Sequence, residues 1–91
     1  MKFRIDVRVR TSDDKTVILD MKTGKYWHLN STASIIAEGI QNGESLPEIC
    51  ALVSSVKNVA PQTAASDCAQ FIQELSNVGL LEDVPAETRS R

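Results

Sequence analysis

The residues best suited to chemistry lie in one short run, Lys25-Tyr26-Trp27-His28-Leu29, which holds the only tyrosine, tryptophan and histidine of the chain. A histidine acts as a base or a ligand only with partners, and no Ser, Asp or Cys stands near His28 in a catalytic spacing. The two cysteines, Cys50 and Cys68, sit among apolar residues at helical spacing. They read as reduced, buried thiols that behave as small hydrophobes. One histidine and no CxxC pair cannot build a metal site. There is no Gly-rich phosphate loop, no pair of histidine ligands and no nucleophile with a base. The sequence therefore predicts a protein that is not an enzyme and carries no cofactor and no metal. Binding remains. An aromatic strand between a turn and a helix is placed to be an edge, and an unpaired edge offers main-chain donors and acceptors to an extended peptide.

The second half of a binding groove comes from later in the chain. Ala64, Cys68, Phe71, Ile72, Leu75 and Val78 recur at three and four, which predicts a helix from Pro61 or Gln62 to Val78 with one apolar face. Phe71 and Leu75 supply apolar contact, Asp67 and Glu74 polar contact, and the groove would lie between this helix and the aromatic strand. The plainer alternative stays open here: Phe71 and Leu75 are core, and Tyr26 and Trp27 cover it.

The elements that must position these residues are readable in order. Phe3, Ile5, Val7 and Val9 alternate with charged residues, which predicts one half-buried strand over residues 3–9. Thr11 to Lys15 reads as a polar loop. A second strand, Thr16 to Met21, is expected to turn Val17, Leu19 and Met21 to the core and Asp20 outward. Gly24 fits the turn into the third strand, Lys25 to Leu29. There Tyr26 and His28 share one side and Trp27 and Leu29 the other, so both faces are expected to be at least partly covered. Asn30, Ser31 or Thr32 can cap a first helix, Thr32 to Gln41, which Asn42-Gly43 ends. Ser45-Leu46-Pro47-Glu48 is a capping box with proline in the first turn. It opens a second helix whose buried stripe is expected at Ile49, Leu52, Val53 and Val56. Gly79 stops the third helix and Leu80-Leu81 tuck back. The sum is an α+β domain over 1–81, a three-stranded antiparallel sheet followed by three helices, winged helix-turn-helix-like, with a disordered tail over 82–91.

Composition limits the partners. Ninety-one residues make one domain, and a net charge of −2 gives no general attraction to nucleic acid or anionic membranes. The winged-helix outline raises DNA binding, but no Lys or Arg occurs from Asn58 to Thr88, so the would-be recognition helix has no cation for phosphate or guanine. No run is long enough to cross a bilayer, and the N-terminus lacks the apolar block of a signal peptide, which places the protein in the cytoplasm.

Val17 to Ile36, with Leu19-Asp20, Gly24, Tyr26, Leu29-Asn30 and Ile36, resembles the PqqD-like family. Asn42-Gly43 through Ile49 is similar to the family's second-helix start, and Asp67, Phe71, Leu75 and Gly79-Leu80-Leu81 to its third helix and ending. The likeness covers Val17 to Leu81. It implies a RiPP recognition element, a non-catalytic module that binds the leader peptide of a ribosomally made precursor. In that family the leader adds beside the third strand, here Lys25, Tyr26, Trp27, His28 and Leu29, and is clamped by the third helix, here around Asp67, Phe71, Glu74 and Leu75. A stand-alone chain of this length most resembles the leader-binding protein of lasso-peptide pathways. That resemblance implies two further partners, a cysteine protease that removes the leader and an ATP-dependent cyclase. The alternative within the family is the peptide chaperone of the pyrroloquinoline quinone pathway, with a radical enzyme as its partner. Ala33 stands where the family often has Gly, and Ala37 where it often has a large aromatic.

Overall fold

The computed structural model describes residues 1–13 and 15–82. The order is β1 (Lys2–Phe3), β2 (Val7–Ser12), β3 (Lys15–Asp20), β4 (Tyr26–Leu29), α1 (Ser31–Gln41), α2 (Leu46–Lys57), α3 (Pro61–Asn77) and β5 (Leu81–Glu82). Strands β2, β3 and β4 form the expected antiparallel meander, with β3 in the middle. The helices cover one face of it. Ile18, Ile36, Ile40, Ile49, Val53, Ile72 and Leu80 are fully buried between the layers. No helix among the described residues is long and apolar enough to cross a membrane.

Local chemistry explains the helix ends. Asn30 caps α1 by accepting the Ala33 N–H at 2.8 Å. The capping box of α2 is complete: Ser45 Oγ accepts the Glu48 N–H, and the Glu48 carboxylate accepts the Ser45 N–H at 2.8 Å. The Ser45 N–H, and after it the Ser45 hydroxyl, hold the Glu48 carboxyl below its usual pKa. Inside α1, Gly39 is required by close approach, since a Cβ there would lie 2.6 Å from Ile49 Cγ1. Ala33 and Ala37 are both buried, Ala37 within the core cluster.

The structure corrects several expectations. The strand expected over residues 3–9 is broken. Phe3 pairs with Leu81 and Lys2 with Glu82, forming a second, two-stranded sheet. The chain then turns at Ile5-Asp6, closed by the Val7 N–H donating to the Arg4 carbonyl at 3.1 Å. Ile5, expected to face the core, is 89% exposed. Glu82, expected in the tail, is part of the β1–β5 pair, while the tail over 83–91 lies outside the described residues. Thr11, Ser12 and Lys15, expected in a loop, belong to the β2–β3 ladder.

The facing of β3 is opposite to that expected. Thr16, Ile18 and Asp20 are buried, Val17 and Leu19 half-buried, and Met21 exposed. A buried Asp20 is tolerated because Arg4 Nη2 donates to its Oδ1 at 2.9 Å and the Lys22 N–H does so at 2.9 Å. Burial alone would raise the Asp20 pKa. The Lys22 N–H, the Arg4 guanidinium and Thr23 more than offset it, leaving the carboxyl below its usual value.

The buried stripe of α2 is narrower than expected: Ile49 and Val53 are buried, but Leu52 and Val56 are exposed. Among the described residues no further element buries that side of the three-helix layer. Val78, expected on the apolar face of α3, is its C-cap and is 49% exposed. The outer face of β4 is open rather than covered, with Tyr26 at 60% exposure.

Candidate functional site

Sheet order makes β4 an edge strand, paired among the described residues only with β3. The direction of its main-chain groups follows from one bond. The Asp20 N–H donates to the Lys25 carbonyl at 2.8 Å, so Asp20 and Lys25 are a hydrogen-bonded pair. Bonded and non-bonded pairs alternate in an antiparallel ladder. The register pairs Ile18 with Trp27 and Thr16 with Leu29. Trp27 and Leu29 therefore bond to β3, and the N–H and C=O of Tyr26 and His28 point to the outer edge. The β2–β3 ladder agrees: the Met21 N–H donates to the Asp6 carbonyl at 2.9 Å, so alternate β3 residues turn toward β2.

Side chains alternate across the same strand. Trp27 and Leu29 turn toward the helices and pack against the core, whereas Tyr26 and His28 face out. On that outer face the two rings meet edge to face, centroids 5.4 Å apart.

Beside β4 runs a cleft of about 370 Å³, walled by Trp27, Leu29, Phe71, Leu75, Val78 and Leu80, with His28, Asn30, Ala33 and Glu74 completing it. A second compartment of about 330 Å³ shares Asn30, Ala33, Phe71 and Glu74 with the first, and adds Thr32, Ile36, Asp67 and Gln70. Together they form one groove along α3, bounded by the edge of β4 at its apolar Trp27 end and by the amino end of α1 at its polar Asp67 end.

Of the residues singled out in the sequence, the groove gathers Trp27, His28, Leu29, Phe71, Glu74 and Leu75 in its apolar part, and Asp67 in its polar part. Lys25 and Tyr26 line neither compartment. Lys25 lies in the turn before β4, and Tyr26 contributes its outward main-chain groups. Sequence reasoning missed Asn30, Ala33, Val78 and Leu80 as walls. Val78 carried a usable signal, since Phe71, Leu75 and Val78 lie on one helical face.

Cys50 and Cys68 lie outside this groove. Burial, together with Cys50 and Asp67 nearby, pushes the Cys68 thiol up to about 12, so it stays protonated at neutral pH.

A three-stranded sheet with one open edge, followed by three helices that wall a groove beside it, defines a small binding domain. Residues 15–81 match the model of the family described as Coenzyme PQQ synthesis protein D (PqqD), and the chain belongs to that family. Its fold is similar to two solved structures. One is TbiB1 in complex with the TbiA(beta) leader peptide, at 29% identity and a TM-score of 0.86, covering 93% of this chain and 99% of that one. The other is lasso peptide synthetase B1 complexed with the leader peptide, at 29% identity and a TM-score of 0.78, covering 87% of this chain and 93% of that one. Comparison with the curated proteins found no match.

Proposed function

We propose that this chain is a non-catalytic recognition element that binds the leader peptide of a ribosomally made precursor, as a strand added to the outer edge of β4. The observation that carries this reading is the N–H and C=O of Tyr26 and His28, unpaired among the described residues and set beside an apolar cleft. Two N–H and two C=O groups give four main-chain bonds, a net of about 2–6 kcal/mol. One large apolar side chain buried against Trp27, Phe71 and Leu75 adds about 1.5–3 kcal/mol. The sum, about 3.5–9 kcal/mol before the cost of association, falls short of micromolar affinity by itself, so further side-chain contacts along the groove must contribute.

The similarity to two leader-bound B1 proteins supports a lasso peptide precursor as the ligand. On this reading the protein works in the cytoplasm and presents the precursor to a separate cysteine protease, which removes the leader, and to an ATP-dependent cyclase. The family match also favours a second reading, the peptide chaperone of the pyrroloquinoline quinone pathway.

Titrating a fluorescein-labelled leader, from the precursor encoded beside this gene, is expected to give saturable anisotropy. Phe71→Asp is expected to weaken binding at least 100-fold while circular dichroism shows a folded domain, because Phe71 is only half-buried. A wild-type protein that leaves the labelled leader free contradicts the reading.

A further inference from the structure

The groove changes chemistry along its length, and this points to a feature of the ligand. We infer that the bound leader carries a cationic side chain, Lys or Arg, which enters the Asp67–Glu74 compartment two or four residues from its apolar anchor. This inference rests on the leader-binding reading above.

Two observations carry it. The polar compartment shares four of its walls with the apolar cleft beside β4, so one extended peptide passes both. Independently, the similar solved structures hold leader peptides, so a peptide is the ligand class to be matched. Asp67, Phe71 and Glu74 lie at i, i+4 and i+7 on α3, on one face of the helix. Asp67 and Glu74 make no ion pair among the described residues, whose two salt bridges both belong to Arg4. Gln70 adds a carbonyl acceptor, and Phe71, which lines the same compartment, offers an apolar surface for the aliphatic stem of Lys or Arg.

One feature opposes a cation. The amino end of α1 faces the same compartment through Asn30, Thr32 and Ala33. It carries roughly half a positive charge, against two full carboxylates. Its Ala33 N–H is already taken by Asn30 Oδ1. The nearest lysine at that end, Lys57, donates to Ser31 Oγ, which lines a different cavity.

Length sets the spacing. From Asp67 to Val78 the helix rises about 16 Å, at 1.5 Å per residue. An extended peptide covers that in about five residues, and side chains pointing the same way recur every second residue, about 6.7 Å apart. The two compartments adjoin within that span and share four walls, which allows a separation of two or four residues.

The test is a substitution scan of the same fluorescein-labelled leader, each position replaced in turn by Lys, Glu, Gln and Leu. One position is expected where a cation binds at least 10-fold more tightly than Glu, two or four residues from a position that demands a large apolar side chain. In the Asp67→Asn/Glu74→Gln variant that preference should fall below 3-fold, while the apolar demand persists. In Asp67→Lys the preference should reverse toward Glu. Both residues are exposed, so these variants keep the fold. A leader that binds with no charge-sensitive position, or one whose preference is unchanged in the double variant, overturns this inference and leaves the leader-binding reading standing. Binding by no leader at all overturns both.

Discussion

The same sheet has two edges, and they are finished differently. On the β2 edge, alternation turns the main-chain groups of Val7, Val9 and Thr11 outward. At Val7 they are satisfied within the chain: its N–H donates to the Arg4 carbonyl at 3.1 Å, and its carbonyl accepts from Arg8 Nη1 at 3.2 Å. Arg4 is held there by Asp6 and Asp20, and its Nη1 donates to the Gly79 carbonyl at 2.7 Å. A turn, an ion-pair network and charged side chains close the Val7 end of this edge against other strands. On the β4 edge the equivalent groups of Tyr26 and His28 have no partner among the described residues, and an apolar groove lies alongside. Val9 and Thr11, further along β2, also carry outward groups with no partner among the described residues, so open groups alone do not set β4 apart. What sets it apart is the facing wall that α3 supplies beside those groups.

Proline substitution tests this contrast most severely. His28→Pro removes an outward donor without touching the β3 ladder, and is expected to weaken leader binding about 10-fold with little change in Tm. Trp27→Pro, one residue away, removes a β3 bond and a core contact. It is expected to lower Tm sharply, measured by thermal denaturation. Equal effects from the two would contradict the assigned alternation.

The closed end of the β2 edge has its own pH signature. Because the Asp20 pKa is depressed in the folded protein, its contribution is present above the unfolded value and is lost as pH falls through the folded value. Wild-type stability is therefore expected to drop in the acid limb below about pH 4. Asp20→Asn should be less stable at pH 7 and should lose that part of the pH dependence. Chemical denaturation at stepped pH reads both effects.

The smallest effect is expected from Arg8→Ala. It uncovers the Val7 carbonyl, and should raise self-association slightly in sedimentation velocity while leaving leader affinity within 2-fold.

Much of the groove was legible in the sequence because it is written in local patterns. The 3–4 spacing of Ala64, Cys68, Ile72 and Leu75 fixes the face of α3, and Phe71 flanks it. The aromatic run marks β4, and Ser45 with Glu48 marks the start of α2. What was not legible depends on distant partners. Val17, Ile18 and Leu19 are all apolar, so their pattern does not say which face is buried. The decision comes from Arg4 neutralising Asp20 on the inner side. Ile5 fits an alternating strand, and only the pairing of Lys2-Phe3 with Leu81-Glu82, at the other end of the chain, turns it out. Leu52 and Val56 obey the periodicity of α2, yet no described element packs closely enough to bury them.

The most direct measurement is amide hydrogen exchange by NMR, with and without bound leader. The account predicts that the Tyr26 and His28 amides exchange fast in the free protein and become protected on binding, while those of Val7, Val9 and Thr11 do not change. Protection appearing on β2, or none at Tyr26 and His28 in a saturated complex, would contradict it.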